Sequence, residues 1–124
     1  MGEKRVLVVD DETTFLMAIR KILDGPELCV DTAENYNDAI ELINERSFNF
    51  VITDIRLTNV INTEGLDILK YIKEHRPETK VIILTGYGNT EIMERAYSMG
   101  ANIYLEKPVS SNVLRSILEH AGCS

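Results

Sequence analysis

Three carboxylates, a hydroxyl and an ammonium stand where short apolar runs end. Asp10 and Asp11, with Glu12, follow Arg5-Val6-Leu7-Val8-Val9, and Asp54 follows Phe50-Val51-Ile52-Thr53. Thr85 and Gly86 follow Val81-Ile82-Ile83-Leu84, and Lys107-Pro108 comes just after Asn102-Ile103-Tyr104-Leu105. If those ends share one rim, the carboxylates repel one another, and the cluster is costly unless a cation neutralises it. A small set of hard oxygen ligands suits Mg2+, which keeps several waters and uses one or two carboxylates plus phosphate oxygens. A divalent ion with an open side beside Lys107 and Thr85 is an arrangement for a transferring phosphoryl group.

Each residue also has a plainer explanation. Asp10 and Asp11 could cap a helix, since carboxylates favour helix N-termini. Asp54 could form a turn after a strand. Thr85 could be an ordinary strand end, and Lys107 a solvated surface lysine. Tyr104 could be half-buried sheet packing. Capping accounts for one acid but not for two adjacent ones after an apolar strand, and the joint placement of all five favours a site.

The elements that must position them are readable from periodicity. Besides the four runs above, Leu28-Cys29-Val30-Asp31 is a fifth strand-like stretch. Three of the five are nearly continuous apolar, as expected of parallel strands covered on both faces. Between them run apolar stripes at helical spacing: Phe15, Ile19, Ile22, Leu23; Tyr36, Ala39, Ile40, Ile43; Leu66, Ile68, Leu69, Ile72. A weaker stripe holds Ile92, Met93, Ala96 and Tyr97, and a last one Leu114, Ile117, Leu118 and Ala121. Strict alternation of strand and helix predicts a (βα)5 α/β domain with a parallel sheet. Ligands then gather at the carboxyl ends of the strands, where the five residues stand.

Composition bounds the alternatives. The chain has 124 residues, the length of one domain, with 44% apolar and 27% charged residues, so it is expected to be globular and soluble. No apolar run approaches the roughly 20 residues of a membrane helix, and no leader is evident before Arg5; a cytoplasmic location is expected. Cys29 and Cys123 form no CxxC motif, which suits a reducing compartment. The net charge of -7 repels nucleic acid and attracts cations, so direct nucleic-acid binding is not expected. His75 and His120 fall towards helix ends and receive no chemical role.

The segments VLVVDDE, VITDIRL, ILTGYG and YLEKP resemble, in order and approximate spacing, the signatures of response-regulator receiver domains of two-component systems, the CheY-like superfamily. The resemblance runs from Arg5 to Ala121. It implies a flavodoxin-like doubly wound parallel sheet of strand order 2-1-3-4-5, an order the family is known for. It implies that residues 1–124 are one receiver domain, alone or within a longer multidomain regulator. By the resemblance Asp54 is the phosphoacceptor, taking its phosphoryl group from the phosphohistidine of a sensor histidine kinase or phosphotransfer protein. Mg2+ (or Mn2+) would be held by Asp11 directly, Asp10 through water, Asp54, and the backbone carbonyl of Arg56. Lys107 and Thr85 would contact phosphoryl oxygens, and a cis Lys107–Pro108 bond is implied. Thr85 and Tyr104 would form the switch, shifting the face of the fourth helix, fifth strand and fifth helix. On that face Ile92, Tyr97, Tyr104 and Val113 would meet an output domain, a target protein or a second copy. The chain would be no enzyme beyond accepting and losing its own phosphoryl group.

Two departures accompany the resemblance. The stretch from Leu57 to Gly65 lacks the usual proline and is a few residues longer than expected, next to the metal site. Arg56 and Tyr87, two residues past Asp54 and Thr85, are bulky where relatives tune access of the hydrolytic water. Other functions fit less well. A phosphatase with an Asp nucleophile needs DxDx[TV] after its first strand, unlike Asp10-Asp11-Glu12-Thr13. A flavin carrier needs a hydroxyl-rich loop there, and the acids would repel the flavin phosphate. A phosphorylation-independent interaction module would not need every rim residue.

Overall fold

The computed structural model describes residues 4–26, 28–55, 64–86 and 88–121. Five strands alternate with five helices: β1 Lys4–Val9, α1 Thr13–Leu23, β2 Leu28–Ala33, α2 Tyr36–Glu45, β3 Phe50–Thr53, α3 Glu64–His75, β4 Lys80–Thr85, α4 Thr90–Ser98, β5 Ile103–Glu106 and α5 Ser111–Ala121. All neighbouring strands are parallel, in the order β2-β1-β3-β4-β5, as expected. The register places Val9 opposite Thr53, Thr53 opposite Ile83, and Thr85 opposite Glu106, so the ends of β1, β3, β4 and β5 line one rim.

The period of two along the strands sorts side chains into two cores. Leu7, Val9, Val51, Val81 and Ile83 face one way, against Ala39, Ile43, Leu66, Leu69, Ile72 and Ala96 of α2, α3 and α4. Val6, Val8, Phe50, Ile52, Ile82 and Leu84 face the other, against Leu16, Ile19 and Leu23 of α1 and Leu114 and Leu118 of α5. The strands are apolar on both faces because both faces are covered.

One stripe differs by a residue from expectation. On α1, Leu16 is buried while Ile22 is exposed, so the helix turns its Leu16-Ile19-Leu23 edge inward and Phe15 to the boundary. Tyr97 of the weaker stripe is 45% exposed, on the face expected to meet a partner. Its hydroxyl accepts the Tyr104 N–H of edge strand β5 at 3.0 Å. Asparagine starts two helices: Asn35 accepts from Asp38 N–H, and Asn89 from Ile92 N–H, both at 2.8 Å. The Asn89 cap starts α4 four residues beyond Thr85. Among the described residues no helix is long and apolar enough to cross a membrane. The expectations for Arg56 and Tyr87 and for residues 57–63, with Cys123, lie outside the described residues, as do the side chains of His120 and Ala121.

Candidate functional site

The sheet's own hydrogen bonds carry the backbone of the site residues. Asp10 N–H donates to Ala33 C=O at 3.1 Å, Asp54 N–H to Val9 C=O at 3.2 Å, and Lys107 N–H to Thr85 C=O at 2.9 Å. Side chains projected from these positions converge. Lys107 Nζ lies 2.6 Å from Asp10 Oδ2 and 3.1 Å from Asp54 Oδ2, with Glu12 Oε1 at 3.5 Å. The peptide bond between Lys107 and Pro108 is cis.

The remaining carboxylate oxygens are also engaged. Asp10 Oδ1 accepts from Glu12 N–H at 2.9 Å, and Asp54 Oδ1 from Ile55 N–H at 2.7 Å. Asp10, Asp54 and Thr85 are buried, and Asp11 stands exposed beside them. The capping explanation for the two acids does not hold: the N-cap of α1 is Glu12, which makes no side-chain cap, and the first turn carries no acid.

Charge explains the state of the cluster. Burial pushes the Asp10 carboxyl above its usual pKa; hydrogen bonds from Lys107 and from Glu12 N–H pull it back only in part, and the Asp54 charge adds to the rise. Burial works against the Lys107 ammonium as well. The hydrogen bond to Asp10 and the charges of Asp54 and Asp10 outweigh it, holding the pKa of Lys107 above the ordinary lysine value. The ammonium also sits 4.5 Å from the centre of the Phe15 ring, a cation–π contact. Sequence reasoning placed Phe15 only in a core stripe; its two roles share one helical position.

The donor set fits a hard divalent cation in kind: carboxylates of Asp10 and Asp54, and the exposed Asp11 next to them. No three acidic, histidine or cysteine side chains are already gathered as metal ligands among the described residues. Lys107 supplies the neutralising charge between Asp10 and Asp54 instead. The expected ligand role of the Arg56 carbonyl falls outside the described residues.

Two glycines complete the site, and neither was singled out for its packing. A Cβ on Gly65 would collide with the Asp54 carbonyl oxygen and lie 2.7 Å from the Asp54 carbonyl carbon and Ile55 Cα. Gly65 N–H donates to Ile55 C=O at 2.9 Å, so the start of α3 lies directly on the backbone of the candidate phosphoacceptor. A Cβ on Gly88 would collide with the Tyr104 hydroxyl and lie 3.1 Å from Thr85 Cγ2. Tyr104 itself is half-buried against the α2-α3-α4 core, and its hydroxyl is buried without a hydrogen-bond partner among the described residues.

This rim matches known proteins along nearly its whole chain. Residues 6–119 match the family described as the response regulator receiver domain. The chain belongs to that family. It is 31% identical over 121 residues to the acid tolerance regulatory protein ActR of Rhizobium meliloti, covering 97% of this chain and 61% of that protein. It is 32% identical to the response regulator PilR of Pseudomonas aeruginosa, covering 98% of this chain and 26% of PilR. The chain therefore spans about three fifths of ActR and about a quarter of PilR.

Solved receiver structures agree. A CheY-like receiver domain protein of Methanospirillum hungatei superposes with a TM-score of 0.91 at 30% identity, over 98% of this chain and 95% of that one. A response regulator of Burkholderia pseudomallei, solved with a phosphorylated aspartic acid, a calcium ion and citrate, gives 0.85 at 26% identity, over 98% and 69%. As a receiver domain the chain is a module of phosphorylation-dependent two-component signalling, a switch and not a conventional enzyme.

Proposed function

We propose that Asp54 accepts the phosphoryl group of a phosphohistidine, and that residues 1–124 act as one receiver domain serving an output domain or target protein. The observation that carries this reading is the position of Asp54: buried at the end of β3, with one carboxylate oxygen 3.1 Å from Lys107 Nζ. In the transfer an Asp54 oxygen forms the new O–P bond as the N–P bond of the donor imidazole breaks, and that imidazole takes up a proton. The Ile55 N–H orients the carboxylate through its other oxygen. Lys107 would pair with a phosphoryl oxygen, and Thr85 would hydrogen-bond another, which supplies charge neutralisation and positioning.

Mg2+, held by Asp10, Asp11, Asp54 and the Arg56 carbonyl, would neutralise the charge gathered on the rim. The Burkholderia neighbour, with its phosphorylated aspartic acid and calcium ion, supports a divalent cation of this kind. The switch would run from Thr85 through Tyr104 to the face of α4, β5 and α5. Tyr97 and Val113 are exposed there, and a groove of about 350 Å3 lies among Asn89, Thr90, Met93, Tyr104, Leu105 and Glu106. A sensor kinase or phosphotransfer protein would be the donor. A receiver dimer is known among the structural neighbours, in beryllofluoride-activated NtrC4, which supports a second copy as one partner of this face.

Incubation with a small-molecule phosphodonor and Mg2+ tests the acceptor. Intact-mass measurement should show one added phosphoryl group in the wild type and none in Asp54→Ala. Undiminished phosphorylation of the mutant would overturn the assignment.

A further inference from the structure

Gly88 lies where the two proposed switch residues meet. A side chain there would strike the Tyr104 hydroxyl, come within 2.8 Å of Tyr104 Cζ and reach 3.1 Å from Thr85 Cγ2. Distances below 3.0 Å require something to move, and the atom in the way is the end of a ring that can swing. What the glycine provides here is the room that its missing side chain leaves. We propose that Gly88 is the positioning residue of the switch: its missing side chain is the seat that admits the Tyr104 ring, and one methyl group there would evict it. The inference rests on the reading of Thr85 and Tyr104 as the switch pair and adds what sets the position of the ring.

Three observations support the assignment. The Tyr104 hydroxyl is buried in that seat with no hydrogen-bond partner among the described residues. The ring fits the room left at Gly88, and a small change in that room would move it. A Cβ at that position would lie 3.1 Å from Thr85 Cγ2, so Thr85 borders the seat and its shift towards a phosphoryl group changes the room there. Tyr104 and Asn89, the residue after Gly88, both line the α4–β5 groove, so the ring's position shapes a surface a partner would meet. Gly88 thereby sets how far the groove is open.

The test is Gly88→Ala in the full chain, with tyrosine ring and methyl groups labelled for NMR and Tyr104 assigned through Tyr104→Phe. In the wild type a ring–methyl NOE should join Tyr104 to Thr85. In Gly88→Ala that NOE should vanish, with or without phosphodonor, while intact mass still shows one phosphoryl group on Asp54. Amide shifts along α4 and β5 on phosphorylation should fall to a small fraction of the wild-type response. Persistence of the NOE in Gly88→Ala overturns the inference, whatever the phosphorylation result. Failure of the wild type to accept a phosphoryl group strikes at the proposed function instead, since the ring position is read without phosphate. If Gly88→Ala does not fold, Gly88→Ala/Tyr104→Ala decides. Recovery of the fold on removing the ring supports the seat, and continued unfolding overturns it.

Discussion

Lys107 Nζ sits 2.6 Å from Asp10 Oδ2, and the Asp10 side chain is only 2% exposed. The ammonium therefore supplies the positive charge between Asp10 and Asp54. Removing it leaves two buried carboxylates facing each other. Lys107→Ala should lower metal-free stability by about 2–3 kcal/mol, at or below the low end for a broken buried pair because the lysine side chain is 19% exposed. Mg2+ should restore much of that loss by binding the folded state. Denaturant melts with and without Mg2+ check both; a mutant as stable as wild type without metal would show that the pair contributes nothing.

Asp11 differs from its neighbour in being exposed and facing solvent at the rim. A ligand role there predicts that Asp11→Ala weakens Mg2+ binding by about 1–2 kcal/mol, the scale of a single interaction with a charged group. It should also leave the metal-free fold at least as stable, since one repelling charge is gone. Titration calorimetry gives the affinity, and equal Mg2+ affinity in both proteins ends the ligand role.

The rim was legible from sequence because strand ends are fixed by where apolar runs stop, and a parallel sheet brings those ends together whatever the helices do. Asp10, Asp54, Thr85 and Lys107 needed only that rule. The α1 stripe was misread by one residue because Leu16 and Ile22 are equally apolar, and only the helix's rotation against α5 decides between them. Gly65 and Gly88 were legible as glycines but not as contacts. What each would strike is set by segments distant in sequence, Asp54 for one and Tyr104 for the other.

Gly65 gives a third prediction. A methyl group there would meet the Asp54 backbone, which cannot swing aside as a side chain could. Gly65→Ala should destabilise by about 1–3 kcal/mol, the range for overpacking. It should also slow phosphoryl acceptance by displacing the backbone of Asp54. Phosphodonor kinetics followed by intact mass, beside a thermal melt, measure the two effects. Wild-type rate and midpoint together would mean α3 yields without disturbing Asp54.

Tyr104 carries a pH dependence. Burial holds its phenol above the usual pKa, with the charges of Glu106 and Asp54 adding to the rise. A raised pKa in the folded state means the unfolded chain ionises first as pH climbs past about 10. The stabilisation tied to the neutral phenol is complete below that value and is lost as pH rises through the folded pKa. Tyr104→Phe removes this group from the balance. Its denaturation midpoint should fall less steeply above about pH 10 than the wild type's. Parallel slopes would place the hydroxyl in contact with water.

The last prediction concerns Thr85. Its burial at the end of β4, and its methyl group beside the Gly88 seat, put it in touch with both the rim and the Tyr104 ring. The ring's hydroxyl lacks a partner among the described residues, and an unsatisfied buried hydroxyl costs about 1–3 kcal/mol. That cost disfavours the seated position and lowers the bias needed to move the ring. Moving the balance from about 1:99 to 99:1 would take roughly 5.5 kcal/mol, so one hydroxyl–phosphoryl hydrogen bond shifts the population only in part. Thr85→Ala should keep phosphoryl acceptance, because Asp54 and Lys107 remain. It should cut the response of α4 and β5, because nothing then draws the seat open. Backbone amide shifts before and after phosphodonor are the measure. A full response in Thr85→Ala would route the signal away from Tyr104, and shifts confined to the rim in the wild type would mean that α4 and β5 do not carry it.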